Sequence, residues 1–215
     1  MECFSIPQEL TSSTPAASLS VVGLHPEIDA LDAQLQATGQ DAAALVDGLT
    51  EDVGRWRAAP NVWSVAECID HLAVADAIYM RAMAEPVRRA REQGRVRRKP
   101  ALPGLLGGWF VRSLEPPVKA IRKMKAPRLI RPHIAPMLAD AYRDFRSAHD
   151  DALAFLRANA DLDLASITFP NPFIKGIHFS LATGLHVIAA HERRHLWQGW
   201  RARQAATQSA SLRAG

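Results

Sequence analysis

The sequence predicts an all-α fold, a four-helix bundle with a long proline-rich crossover between its second and third helices. Three observations carry this. Apolar residues recur at helical spacing in four separate blocks. Between positions 96 and 135 stand Pro100, Pro103, Pro116, Pro117, Pro127 and Pro132, a density no long helix survives. No stretch alternates apolar and polar residues over a useful strand length, and there is no internal repeat.

The first block runs from about Pro26 to Asp47. Pro26 suits a first helical turn, and Ile28, Leu31, Leu35, Ala42, Leu45 and Leu49 keep to one side, with Gly39 as a weak point. Thr50 to Val62, which contains Pro60, reads as a connector. The second helix has the clearest start: Ser64-Val65-Ala66-Glu67 matches the capping box, in which Ser accepts from first-turn amides and Glu reaches back. Ile69, Leu72, Ala75, Ile78 and Ala82 continue it toward Arg95, with Pro86 expected to bend it or end its core-facing part. The crossover, 96–135, has room only for short helical pieces. A third helix spans about Met137 to Ala158, with Leu138, Tyr142, Phe145, His149, Ala152 and Leu156 on one stripe. The fourth follows Pro170 and Pro172, from about Ser180 to Arg203. The expected organisation is a flexible leader over 1–25, the bundle over 26–204 and a flexible tail over 205–215.

The 215 residues carry 26 Lys plus Arg, 22 Asp plus Glu and eight His, and 48% are apolar, as in a soluble globular chain with one ordinary core. The net charge of +4 conceals a split, because residues 81–131 hold 15 basic side chains against Glu85, Glu92 and Glu115. A chain basic in one place only does not read as a nucleic-acid coat. Cys3 and Cys68 make neither a disulfide framework nor a thiolate zinc ribbon, and Cys68 is most simply a small buried hydrophobe. The first 24 residues lack the basic start of a secretory signal. No run reaches the roughly 18 to 20 apolar residues of a spanning helix. A cytoplasmic protein is expected.

The fourth helix contains His191-Glu192-Arg193-Arg194-His195. Residues i and i+4 lie about 40° apart around a helix, so two imidazoles at that spacing can close on one ion. Leu181, Gly184, Ile188 and Gly199 project from the same face, which therefore points inward, and the two glycines are expected to leave space there. His71 aligns with Glu67, Ala75 and Ile78 on the inward face of the second helix. Three inward His on neighbouring helices give a metal site with open positions, the pattern of a catalytic centre. His186 projects to the opposite face and is excluded. His149 reads as a hydrogen-bonded core histidine, and His25, His133 and His178 as surface residues near loops.

His191-Glu192-x-x-His195 also matches the zinc-protease signature, but a peptidase needs a third ligand downstream, and no His, Asp or Glu follows His195. Projection places Glu192 on the flank of the site, about 100° from His191. A zincin protease is excluded.

Two segments carry a family resemblance. Trp63-Ser64-Val65-Ala66-Glu67-Cys68-Ile69-Asp70-His71-Leu72 resembles the second-helix signature of the DinB-like superfamily of bacterial proteins, and Ala190-His191-Glu192-Arg193-Arg194-His195-Leu196-Trp197-Gln198 its last-helix signature. The resemblance covers roughly residues 27–204. It implies up-down-down-up connectivity, which the long crossover fits, and a divalent metal held by His71, His191 and His195. Some relatives are metal-dependent transferases for low-molecular-weight thiols such as mycothiol, bacillithiol or glutathione; many others have no established activity.

The leading expectation is a metal-dependent S-transferase or hydrolase acting on a small molecule, a low-molecular-weight thiol by the resemblance. Zinc or nickel heads the candidate ions, with iron and cobalt also suited to three imidazoles. Glu67, one turn before His71, is a candidate to orient its second ring nitrogen or accept a proton, beside its capping role. Gln198 is a candidate hydrogen-bond donor at the cavity rim. The alternatives are a non-catalytic metal-binding or stress-response module, compatible with a homodimer, and an anion-binding surface on the basic crossover. Nucleic acid and membrane are disfavoured as partners, since a charge run is usually a solvated face.

Overall fold

The computed structural model describes residues 25–117 and 127–214. Its helices are α1 (Pro26–Val46), α2 (Glu51–Arg55), α3 (Val65–Glu92), α4 (Leu105–Leu114), α5 (Leu138–Ala158) and α6 (Leu181–Ala214), with a 3-10 turn at Arg128–Ile130. The only sheet among the described residues pairs β1 (Thr168–Pro170) antiparallel with β2 (His178–Ser180), Phe169 opposite Phe179. Among the described residues no helix is long and apolar enough to cross a membrane.

The four long helices fall where the spacing predicts them, and among its described residues the proline-rich stretch has α4 and the 3-10 turn as its helical pieces. The differences have local causes. Thr50 caps a short helix inside the expected connector by accepting from the Val53 amide. Pro86 lies within α3 without ending its inward face, because Met83, Pro86, Val87 and Ala90 are all buried and packing outweighs one lost backbone bond. The last helix does not stop near Arg203; residues 205–214, expected as a tail, continue α6. Its first amides are met by the loop before it, Leu181 donating to the Ile167 carbonyl, Ala182 to that of Leu164 and Thr183 to the Ser180 hydroxyl. The proposed leader up to residue 24, and Lys119, Arg122, Lys123 and Lys125 of the basic stretch, lie outside the described residues.

α3 packs against α5 and α6, and α1 packs against the same two helices. Their inward faces form two apolar layers. One gathers Leu35, Met83, Leu156, Phe169 and Leu181; the other gathers Leu45, Ile69, Leu72, Phe145 and Leu196. Between them each long helix contributes one buried polar residue: Thr38, Asp76, His149 and Glu192. Glu192 takes hydrogen bonds from Thr38 Oγ1 and from His149 Nδ1, the latter at 2.9 Å. His149 is thus the hydrogen-bonded core residue expected. Gly39 is where α1 gives it room, since a Cβ there would lie 2.7 Å from His149 Nε2.

Gly184 and Gly199 do not leave space beside the histidines. A Cβ on Gly184 would lie 2.8 Å from the Phe169 ring and 2.9 Å from Met83 Sδ, and one on Gly199 would lie 2.6 Å from Leu45 Cδ2. Both glycines let large core side chains approach the α6 backbone. Gly184→Ala is therefore expected to destabilise by about 1–3 kcal/mol through overpacking. An unchanged urea midpoint for that variant would show that the contact relaxes freely.

The basic stretch is partly structural. Arg88 pairs with Glu85 and Glu92, Arg91 holds Asn159 and Asp161, and Arg97 forms a largely buried pair with Glu27. The Arg91 bonds tie the end of α3 to the end of α5, and the Arg97 pair ties the start of the crossover to α1.

Candidate metal centre

α3 starts at the expected capping box, in which the Ser64 side chain accepts from the Glu67 amide and Glu67 accepts from the Ser64 amide at 3.0 Å. This sets the register that turns His71, two turns in, toward α6. His191 and His195 answer from α6, one turn apart. The three residues bring one ring nitrogen each within 4.8 Å of one another. The ring centroids of His71 lie 4.9 Å from His191 and 4.4 Å from His195, and those of His191 and His195 are 4.6 Å apart. His71 Nε2 and His191 Nε2 are 3.1 Å apart. Two imidazoles on one ion at about 2.0–2.1 Å stand about 2.9 Å apart at octahedral angles and about 3.4 Å apart at tetrahedral ones, so this separation fits a shared ion.

The protonation states fit as well. His71 Nδ1 meets the main-chain carbonyl of Ile130. A carbonyl only accepts, so that nitrogen carries the proton and Nε2 presents its lone pair to the cluster. Burial pushes the His71 pKa down from 6.5 to about 4. Burial, reinforced by the neighbouring imidazoles, holds His191 and His195 well below the usual histidine range. All three are neutral at pH 7, as ligands must be. The buried Nδ1 of His195 has no hydrogen-bond partner among the described residues, an orphaned polar atom of the kind a bound ion resolves.

A pH dependence follows for the metal-free protein. The unfolded chain takes up protons near pH 6.5 while the folded triad resists them, so its stabilising effect is complete above that pH. It shrinks as pH falls from about 6.5 to about 4. For His71 alone the loss is on the order of 3 kcal/mol. Urea midpoints measured between pH 7.5 and 4 with chelator present should fall through this window, and a flat profile would contradict it.

Other predicted residues take different places. The second nitrogen of His71 is oriented not by Glu67 but by Ile130. Glu67 is occupied by the capping box and by Arg57, whose Nε lies 2.7 Å from its Oε2. Gln198, half-buried, sits beside His195 and favours that ring's protonated form. Glu192 is fully buried and turns into the polar core layer. Beside it, Asp76 is pushed well above the usual carboxyl range, by burial first and then by Glu192. Cys68 is fully buried, with its thiol pushed far up by burial, so it is no thiolate. His186, excluded as a ligand, lies apart from the triad; His178 is an exposed residue of β2. His133, expected to be merely superficial, donates its main-chain amide to Asp70 at 2.7 Å and sets Nδ1 against the same carboxylate.

Two contributors escape side-chain reasoning. The Ile130 carbonyl is main chain and has no signature. Trp63 closes one side of the cluster, its ring centroid 4.9 Å from His71 and 5.7 Å from His195. Its place directly before the capping box, about two turns from His71, was the available signal.

The fold and site define a helical protein with a three-histidine candidate metal centre. The family model for the DinB superfamily matches residues 34–198, and the chain belongs to that superfamily. No curated protein and no solved structure matches it.

Proposed function

We propose that this protein is a metal-dependent enzyme acting on a small molecule by group transfer or hydrolysis, with a low-molecular-weight thiol as the foremost substrate class. The observation that carries the reading is the convergence of three neutral imidazoles, two on one helix and one on its neighbour, on a single point beside half-buried residues. Zinc or nickel suits the set best, with iron or cobalt as alternatives. An ion there supplies Lewis acidity that makes a thiol or water nucleophilic near neutral pH. His71, His191 and His195 hold it, Ile130 fixes the tautomer of His71, Trp63 excludes water from one side, and Gln198 offers a hydrogen bond at the rim.

The up-down-down-up connectivity belongs to the same reading. Along α1 and α6 the chain passes from the Leu35 layer through the polar residues to the Leu45 layer. Along α3 and α5 it passes the opposite way. That order supports two outer helices running together against two inner ones.

The test is thiol consumption against a panel of electrophiles, with and without metal. Turnover should depend on the ion and be restored by adding it back; rates indifferent to chelation would overturn the proposal.

A further inference from the structure

We propose that Arg194 is the anchor for a negatively charged group on the substrate, so that the small molecules taken by this site are anions such as carboxylates. The inference rests on the metal-centre reading above and deepens it.

The geometry of α6 points to it. Residues 191, 194 and 198 form one i, i+3, i+7 stripe, and His191, Arg194 and Gln198 are all half-buried, whereas His195 and Glu192 on the adjoining face are buried. The centre therefore opens along the stripe that carries Arg194, with Trp63 against the other two rings.

The side chain is also uncommitted. Elsewhere on α6, Arg193 grips Glu115 and Gln34, Arg201 lies over Trp197, and Arg203 bonds the carbonyls of Ala44 and Leu45. Arg194 makes no hydrogen bond or ion pair among the described residues.

The carboxylates near the triad are spoken for. Glu67 is held by Arg57, Asp70 by His133 and Glu192 by Thr38 and His149, while burial and the neighbouring Glu192 disfavour a charge on Asp76. Three neutral ligands leave the charge of a divalent ion uncompensated, and Arg194 adds to it. A site that only stored metal would be better served by an acidic residue at that position. A cation there, with two N–H groups free to make a forked contact, is suited to an incoming anion.

The experiment compares 3-mercaptopropionate with its neutral counterpart 3-mercapto-1-propanol on the cobalt-loaded full-length protein, reading each titration from the visible absorption of the bound cobalt. The wild type should bind the carboxylate at least about tenfold more tightly. Arg194→Gln should reduce that preference to within about twofold, and Arg194→Lys should restore part of it. Equal affinities in the wild type or a preference surviving in Arg194→Gln overturns this inference alone, and no response of bound cobalt to either thiol overturns it together with the thiol as substrate class. Failure of the protein to take up cobalt overturns the metal-centre reading and this inference with it.

Discussion

His191→Ala is expected to remove stoichiometric metal binding while leaving the helices intact. Wild-type protein, purified without a metal-affinity tag and supplemented with zinc or nickel, should carry close to one ion per chain, and the variant almost none. The effect on stability is linked. An ion present at about a thousand times its dissociation constant adds about 4 kcal/mol to the folded state, and a chain without the site gains nothing. Urea unfolding with and without metal should therefore separate widely for the wild type and coincide for the variant. In chelator the two proteins should differ by no more than about 1–2 kcal/mol, since the substitution removes a half-buried neutral ring and no ion pair. Retention of the ion by the variant would mean that the three imidazoles are not its ligands.

The second large effect lies away from the chemistry. Phe169→Ala should cost about 3–5 kcal/mol. The Phe169 ring is fully buried, lies edge-on to Tyr79 with centroids 5.9 Å apart, and fills the notch that Gly184 opens in α6. Its removal leaves a cavity beside the Gly184 backbone and the Tyr79 ring. Equilibrium denaturation reads the loss directly. A change below about 1 kcal/mol would show that the short hairpin is peripheral to the core rather than a wedge between helices.

Much of the fold was legible in the sequence for a simple reason. Helix position depends on local spacing, so the stripes of Ile28, Leu31 and Leu35 and of Phe145, Ala152 and Leu156 mark buried faces before any neighbour is known. The capping box at Ser64 is likewise local, and its effect is to place His71. The histidine pair on α6 is read from its own i, i+4 geometry. Two points departed from the local reading: the inward face of α3 continues past Pro86, which is itself buried, and helical structure persists beyond Arg203 to Ala214.

The site divides along the same line. The sequence by itself determined which imidazoles face inward and that a third can join the pair, since these are properties of single helices. Only the tertiary structure decided what surrounds them. It placed the Ile130 carbonyl on His71, turned Glu67 to Arg57, sent Glu192 into a polar layer with Thr38 and His149, and filled the space at Gly184 and Gly199 with Phe169 and Leu45. Each of those partners lies on another segment, many residues away. A side chain's own spacing sets its direction; which atom it meets is set by how distant segments pack.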